Sequence, residues 1–151
     1  MKTKPLLLLL IILFVAITYQ GCKKENTQNS VVGTWAQTRS TVKTQFIFKS
    51  DLTFETDVLE IDSVSKTTIG YRYKTVGTYT LQNTTLTLKS TQNYSNPDNS
   101  YGPESSLVAV NAQSSDNYTI AFNGQKNILY LYFTCPLNAN CVPSPLVYTK
   151  Q

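Results

Sequence analysis

The run "IGYRYKTVGTYTL", residues 69–81, alternates side chains of opposite character over most of its length. Ile69, Tyr71, Tyr73, Tyr79 and Leu81 share one parity, and Arg72, Lys74, Thr78 and Thr80 share the other. A period of two places each set on its own face of a pleated strand, so the run predicts a strand with one packed face and one wet face. Gly77 stands on the inward parity, where a missing side chain permits a bend or bulge. The same period recurs through most of the chain. In "TQFIFKSDLTFETDV", Phe46, Phe48, Leu52 and Phe54 share a parity on either side of a turn marked by Asp51. Leu86 and Leu88 alternate with threonines after "QNTT", and Tyr118, Ile120 and Phe122 alternate before the hairpin loop "NGQKN". "ILYLYF", residues 128–133, is apolar on both parities, and "PLVYTK", residues 145–150, supplies a short last strand. No helical period exceeds a turn. About eight strands joined by short turns make an all-β meander, either a small closed barrel or a sandwich.

The first residues obey a different rule. "MKTKPLLLLLIILFVAI" sets two lysines before an apolar run from Pro5 to Ile17. That run has the length of a secretory h-region and is shorter than the roughly 18–20 residues a membrane span needs. Gly21-Cys22 follows and resembles the end of a bacterial lipobox, and "CKKE" is similar to the start of many mature lipoproteins of the Bacteroidetes type. The resemblance implies cleavage of residues 1–21, acylation of Cys22, a lipid bilayer as partner and an outer-membrane location. Residues 22–30 then form a lipidated polar tether, and 31–151 the folded domain. The chain carries 13 basic and 9 acidic side chains, two of the basic ones in the leader, which is far from the dense positive field of a nucleic-acid binder. In "YRYK" (71–74) the alternation also sends the aromatic and basic side chains to opposite faces, so no nucleic-acid partner is expected.

With Cys22 used by lipid, Cys135 and Cys141 remain, an even pair in an exported chain. A disulfide is the simplest reading, ahead of free thiols or a metal site. The chain has no histidine, which removes His-based triads and leaves a metal ion short of ligands. Four acids gather in "FETDVLEIDS", with Glu55 and Asp57 on one parity and Glu60 and Asp62 on the other. Their spacing admits paired-acid or calcium chemistry, but solvated or turn-forming carboxylates explain it as well. No catalytic residue, metal or cofactor is assigned. Residues 91–105, "TQNYSNPDNSYGPES", form the one long irregular stretch, either a disordered loop or a functional rim.

"VVGTWAQT" (31–38) opens the domain with Gly33-Thr34-Trp35, where Gly33 allows a sharp turn and Trp35 offers a large plug or a ligand-stacking face. This motif resembles the G-x-W of lipocalins and of the lipocalin-like domains in Bacteroidetes lipoproteins. "F-x-F-x-x-D-x-T-F" from Phe46 to Phe54, "G-x-Y-x-L" from Gly77 to Leu81, Tyr118 to Ile120 and Leu129 to Leu131 follow in the family's order. Two departures stand out: Leu52 replaces the Gly that often follows the turn Asp, and the Arg that packs over the lipocalin Trp has no counterpart. The resemblance implies a small antiparallel meander barrel with an interior ligand site. Tyr71, Tyr73, Tyr79, Tyr118, Phe122, Tyr130 and Tyr132 are its candidate lining, with Gly33 and Trp35 structural. The expected function is non-catalytic binding of a small apolar or amphipathic ligand, or of a protein or glycan partner through rim loops.

Overall fold

The alternating segments become nine strands among the described residues: β1 (Gly33–Arg39), β2 (Val42–Phe48), β3 (Thr53–Ile61), β4 (Thr68–Gln82), β5 (Thr85–Ser95), β6 (Val108–Val110), β7 (Ser115–Phe122), β8 (Ile128–Tyr132) and β9 (Leu146–Lys150). The computed structural model describes residues 30–111, 113–135, 141 and 144–151. The expected leader, Cys22 and the tether up to residue 29 lie outside the described residues. β1 to β5 pair in succession, β5 pairs onward with β7, then β8 and β9 follow, and β9 returns to β1 through Trp35↔Lys150 and Ala36↔Thr149. Every pairing is antiparallel, and eight strands close into a small meander barrel that matches a lipocalin-like arrangement. The short β6 lies outside this circuit, against Asn93–Ser95 of β5.

Register fixes which side chains face inward. Trp35 pairs with Phe46, Phe48 with Phe54, Tyr79 with Leu88, Leu81 with Leu86, and Leu129 with Tyr148. These residues, with Val31, Ile120 and Leu131, form one buried cluster at the end of the barrel where β1 begins. Three register shifts break the alternation, one of them between Glu60↔Gly70 and Ile61↔Thr68, where Ile69 is left over near the start of β4. Val58 pairs with Tyr73 but Leu59 with Tyr71, so Arg72 is an extra residue and Tyr71 and Tyr73 fall on opposite faces. The third lies opposite Gly77, where Val76 pairs with Gln92 and Gly77 with Ser90, leaving Thr91 over. A Cβ on Gly77 would stand 2.1 Å from the Lys89 carbonyl oxygen, so the close approach of β5 requires glycine there.

Trp35 is 0 % exposed, and its indole N–H donates to the Val31 carbonyl at 2.7 Å. The Phe122 ring lies 5.6 Å away, and the Lys150 ammonium sits 5.4 Å from the indole centroid. The cation that the sequence lacked as an arginine is thus supplied by the last strand. Gly33, at φ +129°, carries the chain into β1 beneath that lysine.

Residues 91–105 divide in two. The first five continue β5, while the remainder folds back as a strap along the start of β4. The Asn96 N–H donates to the Arg72 carbonyl at 3.0 Å, Tyr71 and Gly102 exchange backbone hydrogen bonds of 2.7 and 3.1 Å, and a single 3-10 turn spans Glu104–Ser106. The disulfide Cys135–Cys141 closes the segment after β8, with Cα atoms 5.9 Å apart.

The β2–β3 turn carries a local conflict. Asp51 Oδ1 accepts from the Thr53 N–H (3.0 Å) and hydroxyl (2.6 Å), as the turn reading requires, and these bonds hold its pKa below the ordinary carboxylate value. Leu52, however, has φ +67° and is 36 % exposed. A left-handed leucine costs roughly 1–2 kcal/mol, and glycine's extra unfolded-state freedom costs about 0.5–1 kcal/mol. Leu52→Gly should therefore stabilise the domain by about 0.5–1 kcal/mol, measured as a higher urea midpoint with an unchanged slope; a lower midpoint would show that the leucine side chain packs usefully.

Candidate functional site

Along the inward parity, apolar side chains give way to polar ones in the same spatial direction on several strands. Phe54 is followed by Thr56 on β3, Gly77 is preceded by Thr75 on β4, Leu88 is followed by Ser90 and then Asn93 on β5, and Tyr118 is preceded by Asp116 on β7. The barrel is consequently packed at one end and hydroxyl-lined at the other. Between the two lies a chamber of about 180 Å³, floored by Phe46, Phe54 and Leu88 and walled by Thr56, Thr75, Ser90, Asn93, Ser114, Asp116 and Tyr118. Part of the wall is internally bonded: Thr75 Oγ1 donates to Asn93 Oδ1 (2.8 Å), Ser90 and Ser114 share a hydroxyl contact (3.1 Å), and Ser114 donates to Asp116 (3.2 Å).

Asp116 and Tyr118 also line a wider hollow of about 600 Å³, together with Ser115, Asn117, Phe133, Thr134 and Leu146. It opens where β7 runs on past its last β8 partner, since the β7–β8 ladder begins only at Thr119↔Tyr132. Burial raises the Tyr118 phenol above its ordinary pKa, and the Asp116 charge adds to the rise. Tyr148 on β9 is pushed up to about 12, first by burial and then by Tyr118, with Arg39 opposing. Both phenols therefore stay neutral donors at physiological pH.

The seven expected lining residues are not brought together. Tyr118 alone among them lines the chamber. Tyr79 is buried in the core, its hydroxyl donating to the Lys49 carbonyl at 2.9 Å and its ring set edge-on against Phe48 at 5.1 Å. Phe122 packs on Trp35. Tyr130 and Tyr132, expected inward, pair with Ala121 and Thr119 and take the outer face, while Leu129 and Leu131 point in; Tyr132 is 41 % exposed. Tyr71 is turned outward by the Arg72 bulge. Tyr73 is 39 % exposed at the rim and donates its hydroxyl to Asn99 of the strap. Beside it the Arg72 guanidinium lies 5.3 Å from the Tyr73 ring and 5.8 Å from that of Tyr101, and donates to Asn99 at 2.9 Å.

The acids also depart from expectation. Asp62 does form a turn, its Oδ1 accepting from the Val64 and Ser65 N–H groups at 3.0 and 2.6 Å. Asp57 is no solvated edge residue: it lies mid-strand, 1 % exposed, on the outer face of β3. Gln45 Nε2 donates to its Oδ2 at 2.9 Å, while Oδ1 has no hydrogen-bond partner. The Lys74 ammonium, opposite it on β4, reaches Asp57 at 3.9 Å, Glu55 at 3.0 Å and Glu104 of the strap. Burial raises the Asp57 carboxyl above the ordinary range, and Glu55 adds to this while Gln45 and Lys74 oppose it. Burial works against the charge on Lys74, yet the Glu104, Glu55 and Asp57 carboxylates outweigh it and hold the ammonium protonated. Glu55 and Asp57 thus flank a cation under a strap, and neither is among the residues lining the chamber or the hollow. Among the described residues no group of three His, Cys, Asp or Glu side chains is arranged to hold a metal ion.

No protein-family model matches the chain, and no curated protein or solved structure matches it.

Proposed function

We propose that this protein is a non-catalytic binding lipoprotein, acylated at Cys22 and tethered to the outer membrane, whose lipocalin-like barrel takes a small ligand into its open end. The observation that carries the reading is the chamber itself: a packed floor beneath a partly bonded polar wall, beside the hollow that Asp116 and Tyr118 also line. Sites of this kind combine apolar surface with a few placed polar groups. The Gly21-Cys22 pair and the short apolar leader support the tether, since several acyl chains on one residue bind a bilayer durably. Native mass spectrometry of the protein extracted from its own membrane fraction should show an acylated mature chain beginning at Cys22 and a reproducible small mass released on gentle activation. Bare protein in repeated preparations, or an N-terminus elsewhere, would defeat the respective half of the proposal.

A second reading has its own support. Arg72, Tyr73 and Tyr101 form a cation-aromatic platform at the rim, with exposed Ile69 close by in sequence, and such a surface suits a protein or glycan partner. Replacing Tyr73 and Tyr101 with serine separates the two, because it leaves the chamber lining intact.

A further inference from the structure

From the chemistry of the chamber wall we infer that the ligand is a small, neutral polyhydroxylated molecule no larger than a single hexose, rather than an apolar or acyl-chain ligand. The inference rests on the binding reading above and narrows it to one class. Among the described residues, no protein group hydrogen-bonds to the Tyr118 hydroxyl, the Thr56 hydroxyl or the Asn93 amide nitrogen, although all three residues line the chamber. The two hydroxyls can donate or accept, and the amide nitrogen can donate, as a ligand requires. An acyl chain laid against them would strip their water and return nothing, and each polar group so stranded outweighs a buried methylene. A molecule carrying hydroxyls on its edges replaces that water bond for bond.

The remaining features agree. The Phe46 and Phe54 rings with Leu88 give the chamber an apolar floor on which the C–H face of a sugar ring can rest. Asp116 is the one carboxylate of the lining, and it also borders the outer hollow, so its charge opposes the approach of carboxylates and phosphates. At about 30 Å³ of liquid volume per water, a chamber of about 180 Å³ has room for about six waters, which is close to what one hexose displaces. A long acyl chain would not fit in it.

The test is saturation-transfer NMR and calorimetry on the acylated full mature chain in lipid nanodiscs, with D-glucose, D-galactose and D-mannose as probes and uncharged 1-dodecanol as the apolar counter-probe. At least one hexose should bind, Tyr118→Phe and Thr56→Val should each weaken it about tenfold, and 1-dodecanol should not displace it. Ser90→Leu, which fills the chamber, should abolish binding; Tyr118→Phe keeps the test valid if that variant does not fold. Binding of 1-dodecanol that is lost in the filled variant, with no hexose bound, would overturn the ligand class while leaving the binding reading intact. Binding of neither class would overturn this inference, and a bare protein in the native extraction as well would remove the reading on which it rests. A hexose that binds equally well to all three variants would place the sugar outside the chamber and overturn it too.

Discussion

Trp35→Ala should cost the domain about 3–5 kcal/mol, the largest loss expected from any single core substitution here. Three effects add at this position. The side chain is fully buried at the closed end of the barrel, within contact of Phe122, so its removal leaves a large void that strands of a closed sheet cannot collapse to fill. The Val31 carbonyl loses the indole N–H at 2.7 Å and becomes a buried acceptor without a donor, a cost of about 1–3 kcal/mol by itself. Lys150 loses the ring beneath its ammonium, a smaller term of about 0.5–1 kcal/mol because that side chain reaches solvent. Domains of this size are stable by only about 5–15 kcal/mol, so the variant should be marginal at body temperature. Trp35→Phe keeps most of the volume and should lose about 2 kcal/mol, chiefly through the Val31 carbonyl. Urea unfolding followed by circular dichroism measures both. A loss below about 1 kcal/mol for the alanine variant would mean that Trp35 is a replaceable ring over an open floor.

The contrast between this floor and the rest of the barrel shows which parts of the molecule a sequence makes legible. Where one parity is apolar and the other polar, as in Phe46, Phe48 and Phe54 or in Tyr79 and Leu81, the inward face reads directly and the structure agrees. "ILYLYF" has no such contrast, and tyrosine, apolar in body and polar at its tip, suits either face; Leu129 and Leu131 took the interior and Tyr130 and Tyr132 the exterior. The extra residue at Arg72 inverts Tyr71 and Gly70 until the extra residue at Ile69 restores the original parity at Thr68, and nothing local announces either, since such bulges depend on how β3 and β4 wind together. The bend at Gly77, by contrast, was visible because only the smallest side chain fits under Lys89.

The chamber wall is hard to read from the sequence for a different reason. Attention to aromatic residues hides a pattern that is nonetheless present in the text: Thr56, Thr75, Ser90 and Asp116 each lie two residues from an apolar or glycine position on the inward parity, always toward the same end of the barrel. A hydroxyl in a strand is common and carries no signal alone. Its meaning comes only when the strands are laid side by side. Asp57 is the opposite case, a carboxylate on an outward parity that ought to be wet, buried because a segment distant in sequence folds back along the neighbouring strand β4 and brings Glu104 to Lys74.

That burial sets up the second large effect. Lys74→Met should destabilise the domain by roughly 3 kcal/mol at neutral pH, the scale on which a buried ion pair responds to loss of one partner. The ammonium faces Glu55 and Asp57 on β3 and Glu104 on the strap, with the Tyr71 ring 5.8 Å away and Gln45 of β2 on the far side of Asp57. The pair with the half-exposed Glu104 contributes at most about 1 kcal/mol. Most of the loss comes from Asp57, whose Oδ1 already lacks a hydrogen-bond donor and would then lack a countercharge as well. The pH dependence follows from the direction of the shift. The folded Asp57 carboxyl lies above its unfolded value, so it favours the fold when protonated, and that contribution is lost as pH rises through the raised value. Deficits caused by Lys74→Met should therefore be smallest well below the ordinary carboxylate value of about 4, where Asp57 is neutral in both states, and largest near neutrality. Asp57→Asn, which keeps an acceptor for Gln45 and cannot ionise, should raise stability at pH 7 by about 1 kcal/mol, with the advantage vanishing below about pH 4. Combined with Lys74→Met it should recover more than half of the loss, because the stranded charge is gone. Thermal melts of the four proteins across that pH range decide the matter. A Lys74→Met deficit that does not vary with pH, or an Asp57→Asn variant less stable than its parent at neutrality, would mean that Asp57 is ionised without penalty and that the strap, rather than the buried carboxylate, sets the energetics of this face.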